Sequence, residues 1–80
     1  MEINDALTAF AALSQPTRLN AFRLLIQAGP NGLAAGEISD ALHVRQNTLS
    51  ANLSVLLGAG LVRNERQGRS IRYFADMDGL

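Results

Sequence analysis

A mainly α fold closed by a small β-hairpin, in the order α-α-α-α-β-β, is what this sequence predicts. Three observations carry that expectation. Apolar residues recur at three-and-four spacing through successive stretches as far as Leu57. Ser14-Gln15-Pro16, Gly29-Pro30-Asn31-Gly32 and Gly58-Ala59-Gly60 separate those stretches with residues that end helices. Beyond Gly60 the pattern changes to two short runs around Gln67-Gly68. Eighty residues allow one domain with one core, spanning 1–80. An apolar content of 48% against 18% charged suits a folded globule. A domain of this size buries only about 60 to 65% of the surface its unfolded chain exposes, so a partner subunit would add stability.

Asn4 or Asp5 can cap the first helix, in which Ile3, Leu7, Phe10, Ala11 and Leu13 fall near one stripe. Ser14-Gln15-Pro16 ends it and starts the second, because proline is tolerated in a first helical turn and not inside a helix. Leu19, Phe22, Leu25 and Ile26 give the second helix its core face. A short third helix runs from about Gly36 to Leu42 and buries Ile38, Ala41 and Leu42; Ala34 caps it poorly. His43-Val44-Arg45 is a tight connection into a fourth helix over roughly Gln46 to Leu57. Leu49, Leu53 and Leu56 fix its buried face. Leu61 to Arg66 and Arg69 to Ala75 read as strands, with Gly68 free to take the positive φ of a two-residue turn. Ile71, Tyr73 and Ala75 share one face of the second strand, Arg72 and Phe74 the other.

Seven acidic residues balance seven basic ones, and a net charge of zero taken alone argues against nucleic acid. The balance hides a segregation. Residues 1 to 40 sum to minus two, from Arg18 and Arg23 against Glu2, Asp5, Glu37 and Asp40. Residues 41 to 75 sum to plus four, from Arg45, Arg63, Arg66, Arg69 and Arg72 against Glu65. All seven cations are arginine, whose planar fork suits bidentate contact with phosphate or guanine.

A short helix, a tight connection and a longer helix form the pattern of a helix-turn-helix. The exposed face of the longer helix is Gln46, Asn47, Ser50, Ala51 and Ser54, with Thr48 and Asn52 on its flanks. Solvated helix surfaces normally carry Glu, Lys and Arg, whereas Asn, Ser and Thr weaken a helix by bonding to the backbone. Short amides and hydroxyls are the groups that can lie against base edges in the major groove. A polar helix that merely faces water is the competing reading, and the helix alone leaves both open. The hairpin tips the balance: Arg66-Gln67-Gly68-Arg69 is a thin basic projection with Arg63 and Arg72 behind it, suited to phosphate or the minor groove. Arg45 stands at the helix entrance, placed for phosphate or guanine.

From Ser14 to Tyr73 the sequence resembles the ArsR/SmtB family of bacterial winged-helix repressors. The matching stretches are Ala12-Leu13-Ser14-Gln15-Pro16-Thr17-Arg18-Leu19, Gln46 through Leu56, Ala59-Gly60-Leu61-Val62, and Gly68-Arg69 with Tyr73. The resemblance implies a winged helix-turn-helix domain, part of a homodimeric repressor that an inducer, often a metal or metalloid ion, releases from its operator. It places Gln46, Asn47, Thr48, Ser50 and Asn52 on the recognition helix and Arg69 on the wing. Ala51 or Asn52 stands where many relatives have histidine. Arsenic- and lead-sensing members carry cysteines near the start of the third helix, where this chain has Leu33-Ala34-Ala35-Gly36-Glu37-Ile38, so that sensor is absent. The family usually ends in a further dimerisation helix, which is missing here; Asp76 and Asp78 look like its caps, and inducer ligands would lie beyond Leu80.

The expected machinery is therefore as follows. Arg45, Gln46, Asn47, Thr48, Ser50, Ala51, Asn52 and Ser54 read the duplex, Arg66, Gln67, Gly68, Arg69 and Arg72 form the wing contact, and Ile3, Leu7 and Phe10 contribute to a dimer interface. The partners expected are a second copy and a double-stranded operator that is an imperfect palindrome. Cysteine is absent, the single histidine, His43, reads as a surface turn residue, and no glycine-rich phosphate loop or nucleophile elbow occurs, so neither catalysis, a cofactor nor a metal is expected within 1–80. No apolar run reaches membrane length and the acidic N-terminus lacks a secretory signal's basic region, which makes the cytoplasm the expected compartment. The alternative function is a winged helix used for protein contact without DNA.

Overall fold

In the computed structural model, which describes residues 2–79, the chain forms α1 (Ile3–Leu13), α2 (Pro16–Ala28), β1 (Leu33–Ala34), α3 (Ala35–Leu42), α4 (Gln46–Gly58), β2 (Val62–Gln67) and β3 (Ser70–Ala75). Single 3-10 turns cover Gly29–Asn31 and Met77–Gly79. The strands make one antiparallel sheet in the order β1-β3-β2. The core lies between α2, α3, α4 and the inner face of the sheet. Leu25, Ile38, Leu49, Leu53, Leu56 and Leu61 are its largest fully buried side chains, each contributing on the order of 1.5–3 kcal/mol of transfer free energy.

The expected leucines of α4 are all in this core. The expected face of α2 is only half right. Phe22 and Leu25 are buried, but Leu19 and Ile26 are 38% and 43% exposed and Ala21 takes the remaining core position. Apolar residues occupy positions 19, 21, 22, 24, 25 and 26, so more than one stripe fits a helical period and the small Ala21 marks where α2 packs closest. The helix begins on Gln15, whose Oε1 accepts the Arg18 N–H at 2.8 Å, with Pro16 in the first turn.

Two further expectations are corrected at the helix starts. Glu2, not Asn4 or Asp5, is the residue before α1, and both of those lie within its first turn. At α3, Ala34 offers no side-chain acceptor, but Glu37 Oε1 reaches back to the Ala34 N–H at 2.9 Å, which is half of a capping box. Asp76 Oδ1 accepts the Asp78 N–H at 3.1 Å at the head of the last 3-10 turn.

The hairpin is offset by one residue from its expected position. Gln67 pairs with Ser70, so the turn is Gly68-Arg69. Gly68 has φ +65° while Arg69 does not lie at positive φ, the φ signs of a type II′ turn, which matches the right-handed twist of the strands. The third strand, β1, was not expected from the sequence. Its register, Leu33 opposite Tyr73 and Ala34 opposite Arg72, ties the approach to α3 onto the centre of the sheet.

The sheet has two unlike faces. Leu33, Val62, Tyr73 and Ala75 face the helices. On the other face Phe74 is only 5% exposed, with the guanidinium of its cross-strand neighbour Arg63 over its ring at 4.4 Å. Gly32 lies against the same ring. Its φ is +60°, and a Cβ there would come within 2.5 Å of Phe74 Cε1 and of the Tyr73 carbonyl oxygen.

Candidate nucleic-acid interface

The helix-turn-helix consists of α3, the connection His43-Val44-Arg45 and α4. His43 takes the left-handed conformation, φ 56° and ψ 42°, which reverses the chain within one residue. The Val44 N–H then bonds to the Ser39 carbonyl at 3.1 Å, and half-buried Val44 packs against the core. This geometry fixes where α4 begins relative to α3.

Arg45 precedes α4 in extended conformation. Along the helix Gln46, Asn47, Thr48, Ser50, Ala51 and Ser54 are all exposed. No carboxylate interrupts that face, so it presents amide and hydroxyl groups with no repulsion toward an anionic backbone. Asn52 departs from the expected surface role. It is only 9% exposed; its Oδ1 accepts from Arg18 Nη1 at 3.3 Å and its Nδ2 donates to the Thr48 carbonyl at 3.0 Å. Both ends of its amide are used inside the protein and none of it is presented to a groove.

On the wing, Arg66, Gln67 and Arg69 are exposed at and beside the Gly68-Arg69 turn. Among the described residues Arg45, Arg66 and Arg69 make no ion pair and no side-chain hydrogen bond. Arg72 also departs from its expected place in the wing contact. Its Nε donates to the Asn31 carbonyl at 3.1 Å, its Nη2 to the Gly32 carbonyl at 2.9 Å, and its Nη1 lies 3.6 Å from Glu37 Oε1. All three nitrogens are engaged 35 to 41 residues away in sequence, so this arginine anchors the base of the wing. Arg63 is also occupied, over Phe74 and 3.7 Å from Glu65 Oε1.

The wing tip and the first residue of α4 both lie close to the start of α3. A shallow cavity of about 310 Å³ is lined by Ala34, Ala35, Gly36, Arg69, Ser70, Ile71 and Tyr73. Gly36 lies close to the Gln46 amide, since a Cβ at position 36 would stand 3.9 Å from Gln46 Nε2. One surface thus gathers the wing arginine, the α3 N-terminus and the first residue of α4.

Residues 13–65 match the helix-turn-helix domain family. The chain is 37% identical over 62 residues to the HTH-type transcriptional repressor SmtB of Mycobacterium tuberculosis, covering 78% of this chain and 44% of that protein. It is 30% identical to the uncharacterized HTH-type transcriptional regulator YbzH of Bacillus subtilis, covering 95% of this chain and 88% of that protein. This chain belongs to the ArsR/SmtB family of winged helix-turn-helix proteins. It spans less than half the length of the mycobacterial repressor.

Solved structures place the ArsR/SmtB chain in the same fold. HlyU from Vibrio cholerae aligns with a TM-score of 0.84 at 28% identity, over 99% of this chain and 86% of that one. A homodimeric winged helix-turn-helix DNA-binding domain from Mycobacterium bovis aligns with a TM-score of 0.83 at 30% identity, over 91% and 65%. Two features of the ArsR/SmtB surface escaped the sequence reading. Glu37 entered the sequence reading only as a charge, its bond to the Ala34 N–H and its pairing with Arg72 unseen; Arg18 lay in a matching motif with no sign of its partner Asn52.

The expected dimer residues sit on α1. Ala9 and Ala12 turn inward, while Ile3, Leu7 and Phe10 are 77%, 59% and 68% exposed along the opposite side. No helix among the described residues is long and apolar enough to cross a membrane. Nor, among them, do three or more His, Asp or Glu side chains gather to hold a metal.

Proposed function

We propose that this chain is the operator-reading domain of a homodimeric transcriptional repressor acting in the cytoplasm. The observation that carries the reading is the carboxylate-free face of α4, with exposed Gln46, Asn47, Thr48, Ser50, Ala51 and Ser54, beside a wing whose Arg66 and Arg69 have no partner among the described residues. The amides and hydroxyls meet base edges in a major groove, Arg45 meets phosphate or guanine at the helix entrance, and Arg66, Gln67, Gly68 and Arg69 follow the adjacent backbone or minor groove. Asn52 and Arg72 act behind this surface, not on it.

Two such domains joined partly through Ile3, Leu7 and Phe10 place two reading helices about 34 Å apart, in successive major grooves of an imperfect palindrome. The repressor relative and the homodimeric DNA-binding relative support the assignment. Release by an inducer held through thiolates would depend on ligands other than those of this sequence, which has no cysteine and whose Leu33–Ile38 segment offers no thiolate.

Duplex binding measured from low to high salt tests the reading. With Z phosphate contacts the log-log slope is about −0.9Z, and a flat response overturns DNA binding.

A further inference from the structure

The buried amide of Asn52 has a donor on one side and an acceptor on the other. Arginine only donates and a carbonyl only accepts, so between Arg18 Nη1 and the Thr48 oxygen the amide fits one way round. Arg18 also donates through Nε to the Ala12 carbonyl at 2.6 Å, in the last turn of α1. Its own N–H is held by Gln15 at the start of α2. One guanidinium therefore ties the end of α1 and the start of α2 to the middle of α4.

Leucine packing holds α4 against the core through Leu49, Leu53 and Leu56, and the Asn52 bonds add a constraint on its rotation that depends on angle. Hydrogen bonds are directional. A rotation of about 20° moves a group roughly 5 Å from the helix axis by nearly 2 Å, enough to break a bidentate contact with a base. We propose that Arg18 is a positioning residue which, through Asn52, sets the rotation of the recognition helix and hence which base edges its amides meet. This rests on the reading of α4 as a recognition helix. Arg18 touches no base; it acts by holding Asn52, and the end of α1 is held with it.

The test compares Arg18→Met, Asn52→Leu and the double variant with the unaltered protein. Each is measured on the duplex that the unaltered protein selects from a random pool and on the unselected pool, at one salt concentration, with thermal unfolding recorded alongside. Each single variant is expected to lower the selected-to-random affinity ratio about tenfold, the size of a charged-group hydrogen bond. Random-pool affinity should stay within about twofold, and the double variant should lose no more than the worse single, because coupled residues are not additive. Equal losses on both duplexes, an unchanged ratio, or losses that multiply in the double variant overturn the positioning role. If Arg18→Met does not fold, Arg18→Lys decides the same question, since an ammonium keeps the charge but lacks the planar fork whose separate nitrogens meet Ala12 and Asn52. An unaltered protein that binds no duplex overturns the DNA reading itself; one that discriminates, with variants that discriminate equally, overturns only the positioning.

Discussion

Glu37 and Arg72 join the start of α3 to the middle strand of the wing, with Oε1 and Nη1 3.6 Å apart. The same carboxylate oxygen receives the Ala34 N–H at 2.9 Å. Helix start and wing base are thereby fixed to one another, although the Glu37 side chain is 55% exposed and solvent weakens the ion pair itself. The stronger part of the junction is Arg72's pair of bonds to the Asn31 and Gly32 carbonyls. Arg72→Met is therefore expected to destabilise by about 1–2 kcal/mol, and Glu37→Gln, which keeps an acceptor for Ala34, by less than about 0.5 kcal/mol. Urea denaturation checks the order; equal losses for the two variants would show that the ion pair dominates, because Arg72→Met removes that pair as well.

Gly32 and Gly68 share a positive φ but differ in what surrounds them. A Cβ at Gly32 meets Phe74 and the Tyr73 backbone, whereas at Gly68 nothing lies within 4 Å. Gly68→Ala is expected to cost about 1 kcal/mol for the conformation alone. Gly32→Ala adds overpacking against backbone that cannot give way, for a total of about 3 kcal/mol or more. Thermal melts of the two variants should separate clearly, and equal melting temperatures would refute the clash.

The helices were legible because their apolar spacing repeats over three or four turns, as at Leu49, Leu53 and Leu56. What escaped was non-local. Strand β1 is two residues long, too short for alternation to register, and exists by pairing with β3. Asn52 looks like a helix flank until Arg18, 34 positions earlier, is placed against it. Arg72 reads as a wing cation until the carbonyls of Asn31 and Gly32 arrive beneath it. In each case a polar group that would solvate in isolation finds its partner only after the fold closes. The charge segregation was also readable, but which arginines stay free was not: three of the five in residues 41 to 75 remain unpaired among the described residues.

Phe10 offers a test of the proposed association. Its ring is 68% exposed on the outer side of α1, in line with Ile3 and Leu7, while Ala9 and Ala12 hold the helix from beneath. Phe10→Asp should leave the melting temperature of a monomer within a few degrees, because exposed substitutions usually stay within about 0.5 kcal/mol. It should shift sedimentation equilibrium from dimer to monomer, since a buried unpaired carboxylate at an interface carries a large penalty. An unaltered dimer in Phe10→Asp would move the interface off this stripe.

Base reading and backbone holding should separate between α4 and the wing. Asn47 is exposed in the first turn of α4, and although its Oδ1 accepts the Thr48 N–H at 2.9 Å, its Nδ2 is left to donate toward a base acceptor. Asn47→Ala is expected to relax preference at one operator position, costing about 1–3 kcal/mol on the preferred duplex and little on others. Ser50→Ala, one turn further, should relax a neighbouring position. Arg69 sits at the hairpin turn with its guanidinium unpaired among the described residues. Arg69→Ala should weaken all duplexes alike and reduce the salt slope by about 1, the share of one phosphate contact. Selection of bound sequences by each variant, with titrations at several salt concentrations, makes the distinction. If Arg69→Ala altered base preference and left the salt slope unchanged, the wing would be a reader and its assignment to the backbone would fail.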